Sequence, residues 1–93
     1  MTDDEPGSDA RLDGLPGWAV VEGKLHKAYV FADFSEAFGF MARAALAAEA
    51  MNHHPDWSNR WNTVVVDIMS HAEGRITDQC FELAARFEAV APS

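Results

Sequence analysis

The feature that most limits what this chain can become is the block at residues 33–51, which reads as one long helix with apolar residues on two sides. Asp33 followed three residues later by Glu36 is a capping-box pattern, so the helix starts there. Phe34, Ala37, Phe38, Met41, Ala45 and Ala48 share one face, while Phe40, Ala44, Ala47 and Met51 give a second face with few charges. A helix of this kind needs cover from its own sheet and from a second subunit. At 93 residues the chain makes one small domain, whose core is limited by its surface-to-volume ratio, and this strengthens the expectation of an oligomer.

Strand patterns flank the helix. Residues 18–22 and 25–31 are rich in β-branched and aromatic types, and Gly23 with Lys24 suits a two-residue hairpin turn between them. The stretch "NTVVVDIMSH" alternates, with Val64, Val66 and Ile68 on one side and Thr63, Val65, Asp67 and Met69 on the other. His71 shares parity with the second set and points away from the valine stripe if the strand stays regular. A further short strand fits residues 56–59. Gly74 breaks the pattern, and Thr77 caps a last helix whose stripe is Cys80, Leu83, Ala84, Phe87 and Val90. The order predicts an α+β fold, with helices packed on one face of an antiparallel sheet. Residues 1–17 are acidic and punctuated by glycine and proline, so residues 1–15 are expected to be a mobile arm and 16–93 the folded domain.

Charge excludes several functions. Fifteen acids against seven bases give a formal charge of −8, which opposes direct binding to nucleic acid and to anionic membrane surfaces. Cys80 is the only cysteine, so no disulfide can form within the chain. No apolar run reaches the ~20 residues of a spanning helix, and the start lacks the pattern of a signal peptide; a cytoplasmic address is expected.

The chemistry-bearing residues cluster at element ends. "NHHP" closes the long helix, and Pro55 disfavours helical geometry at His54, so the two adjacent imidazoles can leave in different directions. With His71 they make three groups that titrate near pH 6.5 on average, able to give and take protons at neutral pH. The competing plain reading is surface histidines beside a proline turn. A zinc site using Cys80 is disfavoured, because neither an H-x-x-x-H pair nor a C-x-x-C pair is present; no metal is expected. His26 reads as an ordinary strand residue. Trp18, Trp57 and Trp61 could offer a flat wall to an aromatic ring. There is no glycine-rich phosphate loop and no nucleophile elbow.

Taken together these residues resemble the pterin-4a-carbinolamine dehydratases. The run "FSEAFGFMARAALAAEAMNHHPDWSNRWNTVVVDIMSH" is similar to that family's central block, with Glu49, three residues, His53-His54-Pro55, five residues, Trp61, nine residues, then His71. The similarity spans about residues 18–90. It implies a four-stranded antiparallel sheet with helices on one face, assembled as a homodimer or homotetramer. It also implies loss of water from a 4a-hydroxytetrahydropterin to give the quinonoid dihydropterin, in tetrahydropterin recycling, with neither metal nor redox cofactor required. By the same resemblance His53, His54 and His71 are the acid–base set. Glu49, Asn52, Met69, Ser70, Ala72, Trp18 and Cys80 join those histidines as expected pterin-pocket residues.

Cys80 departs from the pattern, since the family usually carries aspartate nine residues after the third histidine. At position N3 behind Thr77 a carboxylate would complete a capping box, which cysteine is expected to do poorly. Gly74-Arg75 stands where small residues are usual, and Ser70 where threonine is common. The expectation is a working dehydratase weakened by Cys80. The rival is a noncatalytic protein-interaction or assembly factor on the same fold.

Overall fold

In the computed structural model, which describes residues 10–92, the chain forms β1 (Ala19–Val21), β2 (Lys24–Val30), α1 (Phe34–Met51), β3 (Asp56–Arg60), β4 (Thr63–Ile68) and α2 (Asp78–Val90). The strands make one antiparallel sheet in the order β1-β2-β4-β3. Register decides the layers. Leu25 pairs with Ile68 and Tyr29 with Val64, so these residues and Val66 share one face, where all are buried. Both helices cover that face: Phe40 of α1 lies against Tyr29, with ring centroids 4.6 Å apart, and Phe87 of α2 stacks on Trp57 at 6.0 Å. This is the expected α+β architecture.

The two helices run in opposite directions, because His53 just beyond α1 meets Cys80 at the start of α2 while Arg43 donates to the Val90 carbonyl at the other end of α2. Asp33 caps α1 by accepting the Glu36 N–H at 2.8 Å. Glu36 reaches back, but to the N–H of Ala32 rather than that of Asp33.

Three sequence expectations need correction. The β1–β2 turn is Glu22-Gly23, both at positive φ, and not Gly23-Lys24. Two left-handed residues match the twist of a hairpin, which Lys24 as a paired strand residue leaves undisturbed. The buried stripe of α1 is Ala37, Phe40, Ala44 and Ala48, which merges parts of both expected faces. Phe34 and Phe38, at the side of this stripe, are 50% and 57% exposed, and Leu46, half a turn away from it, is 73% exposed. Finally, residues 1–9 of the expected arm lie outside the described residues, but Ala10–Gly14 forms a 3₁₀ turn and Leu15 enters the core. Arg11 pairs with Asp78 and lies over the Phe81 ring, so this part of the segment is packed rather than mobile. Among the described residues no helix is long and apolar enough to cross a membrane.

Candidate active site

The end of α1 separates the two adjacent histidines. Asn52 adopts the left-handed conformation (φ 52°, ψ 43°), its N–H bonds the Glu49 carbonyl at 3.1 Å, and the His53 N–H returns to the Ala48 carbonyl at 3.0 Å. This pair of bonds is a Schellman turn, which folds the chain back over the last helical turn. His53 is thereby tucked against Ala48 at 9% exposure, while His54, one residue on and ahead of Pro55, stands in solvent. His54 Nε2 lies 2.9 Å from Glu49 Oε1.

The third histidine comes from the segment between β4 and α2. The strand ends at Ile68, and Ser70 pairs with Arg75 in an isolated bridge. Ser70 holds the intervening turn together, accepting the Glu73 N–H on its hydroxyl and the Gly74 N–H on its carbonyl. Gly74 sits at φ 69°, a conformation that a side chain would strain. His71 is carried at the start of this turn, with Nε2 3.5 Å from Asp56 Oδ2 at the head of β3.

Cys80 completes the group from the first turn of α2. Its sulfur lies 3.4 Å from His53 Nε2, accepts the Thr77 backbone N–H at 3.3 Å and lies 3.6 Å from Thr77 Oγ1. The sulfur occupies the N3 acceptor place of the capping box that a carboxylate would otherwise fill. A thiol can do so because it is buried, where even a weak acceptor has no water competing with it.

His71 meets Asp56, two residues beyond His54, so the three rings share one locality. Burial, followed by the charges that His54 and His71 carry when protonated, holds His53 below the ordinary histidine value of 6.5. A ring with this history is neutral at pH 7. Each histidine therefore has one partner of its own: Glu49 for His54, Asp56 for His71, and Cys80 for His53.

The structure thus brings together His53, His54, His71, Glu49 and Cys80 from the expected set. Asn52 contributes its backbone to the turn and is exposed; Met69, Ser70 and Ala72 sit beside His71 on its own segment. Trp18 is elsewhere. Its Nε1 donates to Glu88 at 3.0 Å, two turns along α2 from Cys80, and its ring packs edge-on against Tyr29. A concavity of about 440 Å³ opens at this distant end, bordered by Lys27, Tyr29 and Glu88. Asp56 was not foreseen, because its place opposite His71 depends on how β3 pairs with β4. Among the described residues no three of His, Cys, Asp and Glu converge as a metal-binding group.

The family model described as pterin 4 alpha carbinolamine dehydratase matches residues 3–90. The chain belongs to the pterin-4a-carbinolamine dehydratase family. A relative from Solibacter usitatus, named for pterin-4-alpha-carbinolamine dehydratase, is 57% identical over 74 residues, covering 80% of this chain and 78% of its own. One of the same name from Rhodospirillum rubrum is 43% identical over 97% of this chain and 98% of its own. The crystal structure of a transcriptional coactivator/pterin dehydratase from Brucella melitensis superposes with a TM-score of 0.87 at 39% identity, covering 99% of this chain and 98% of that one. His53, His54 and His71 of this pterin-4a-carbinolamine dehydratase relative fall inside the matched span.

Proposed function

We propose that the protein removes water from a 4a-hydroxytetrahydropterin, yielding the quinonoid dihydropterin, with His53, His54 and His71 as the acid–base set. The bond between C4a and its oxygen breaks with the electron pair leaving on oxygen, which takes up a proton. The N5–H proton departs, and its electrons form the C4a–N5 double bond. One donor and one acceptor on the same locality suffice. The observation that carries this reading is that His71, from the segment after β4, stands 3.5 Å from Asp56, two residues beyond His54, and so joins the His53-His54 pair at the end of α1. Glu49 and Asp56 orient the two exposed rings, and the family membership supports the substrate class. Such a step supports tetrahydropterin recycling and draws on no group that the chain does not itself carry.

Each well-placed acid or base contributes about 10²- to 10⁴-fold in rate. The test follows the ultraviolet decay of freshly generated 4a-hydroxytetrahydropterin without protein, with the wild-type chain, and with His53→Ala and His71→Ala. Acceleration that falls by about 10²-fold or more in the variants is expected. No acceleration by folded wild-type protein would reject catalysis and favour the noncatalytic assembly role. The exposed Phe34, Phe38 and Leu46 on α1 support a further part of the reading, a homodimer or homotetramer that covers this face.

A further inference from the structure

The hydrogen bonds around the Cys80 sulfur determine more than a helix cap. Its three polar neighbours are the Thr77 backbone nitrogen, the Thr77 hydroxyl and His53 Nε2. The backbone N–H can only donate. The thiol has one hydrogen to give, and an imidazole nitrogen is a far more basic acceptor than an aliphatic hydroxyl, so that hydrogen belongs to Nε2 while the Thr77 hydroxyl turns its own toward sulfur. Water does not perturb this choice, because Cys80 is 0% exposed.

We propose that Cys80 is a positioning residue that fixes the tautomer of His53: the thiol donates to Nε2, and the ring carries its hydrogen on Nδ1. That second nitrogen faces outward. Among the described residues no buried side-chain nitrogen or oxygen lacks a hydrogen-bond partner, and Cys80 engages only Nε2, so Nδ1 is the atom that solvent, or a substrate, can reach.

One neighbouring ring is set the opposite way. Glu49 presents a carboxylate, which only accepts, to His54 Nε2 at 2.9 Å, whereas Asp56 stands 3.5 Å from His71 Nε2 as an ion-pair contact. The neutral His54 ring therefore places its hydrogen on Nε2 and leaves Nδ1 bare. Applied to the dehydration, on which this part rests, His53 Nδ1–H is the donor to the 4a-hydroxyl, and the bare Nδ1 of His54 is the acceptor for the N5 proton.

The test needs no pterin, so it fails or succeeds apart from the dehydratase reading. Long-range proton–nitrogen correlation spectra of uniformly ¹⁵N-labelled protein, recorded above the titration of the rings and assigned with His53→Gln, report which ring nitrogen is protonated. In the wild-type chain Nδ1 of His53 is expected in the protonated range and Nε2 in the bare range. Cys80→Ser, whose hydroxyl can accept from Thr77 and donate to Nε2, is expected to keep that pattern. Cys80→Asp is expected to reverse it, because a carboxylate demands the hydrogen on Nε2. Finding the hydrogen on Nε2 of His53 in the wild type, or the same pattern in folded Cys80→Asp as in the wild type, would overturn the proposal. Should Cys80→Asp not fold, the wild-type and Cys80→Ser spectra still decide it, since a reversal in either contradicts the assignment.

Discussion

His53 and His54 differ in one backbone step and in almost everything that governs their chemistry. The folded state penalises the protonated form of His53, so its neutral ring costs nothing above pH 6.5 and becomes a liability as pH falls below it, where the unfolded chain takes up the proton more readily. Urea midpoints are therefore expected to fall faster between pH 7 and 5 for the wild type than for His53→Asn; a gap that widens in favour of the wild type would contradict this. Cys80→Asp sets a charge beside the same ring, against the opposing charges of protonated His54 and His71 and with Glu49 and Asp56 on the outer side. It is expected to raise the His53 titration by about 1–3 pH units. An imidazolium carries hydrogen on both nitrogens, so the rate of Cys80→Asp should exceed that of the wild type at low pH and drop below it at high pH. A pH–rate profile parallel to the wild type's would exclude this role. The histidines themselves were legible from "NHHP" and the spacing to His71. Their partners were not, because Asp56 meets His71 only through strand register, and the sulfur meets His53 only through the packing of two helices.

At the level of elements, the Schellman turn depends on a residue that tolerates positive φ. Asn52→Gly is expected to hold stability within a few tenths of a kcal/mol, whereas Asn52→Val should cost about 1–2 kcal/mol in chemical denaturation and loosen His53 as well. Helix α2 is tied to the sheet by Glu88, whose Oε2 accepts from Trp18, Lys27 and Tyr29. Burial pulls the Glu88 carboxyl upward, yet these bonds outweigh it and hold it below the ordinary 4.5; its contribution is complete above that pH and fades as pH falls through the lower folded value. Glu88→Ala, which leaves Trp18 and Tyr29 without their acceptor while Lys27 keeps the Pro16 carbonyl, should cost about 2–4 kcal/mol, measured at neutral pH. Element types and order could be read from the sequence because period and capping agree over 33–51 and 77–90. The stripe of α1 could not be assigned, because Phe34, Phe38 and Phe40 are equally apolar and only the sheet beneath selects Phe40. Residues 10–15 looked like linker because Leu12 and Leu15 carry no period; their burial comes from docking on α2 and the core.

For the whole molecule, the face of α1 that carries Phe34, Phe38 and Leu46 is a broad apolar surface that its own fold leaves uncovered. Sedimentation velocity is expected to show an assembly larger than one chain, and the pair Phe38→Lys with Leu46→Glu is expected to shift it toward the single-chain mass without loss of helical signal. A monomeric wild type would reject the assembly. The antiparallel placement of the helices has one more consequence. At the histidines, the carbonyl-rich end of α1 stands beside the amide-rich end of α2, so poles of about −0.5 and +0.5 elementary charge flank the same gap. A molecule that separates there into a departing hydroxide and a cationic ring meets a field with a preferred sense, worth about 0.3–1 kcal/mol at each pole. Under the proposed dehydration the leaving oxygen is drawn toward α2 and the ring toward α1, so the two helix ends act in concert with the proton transfer.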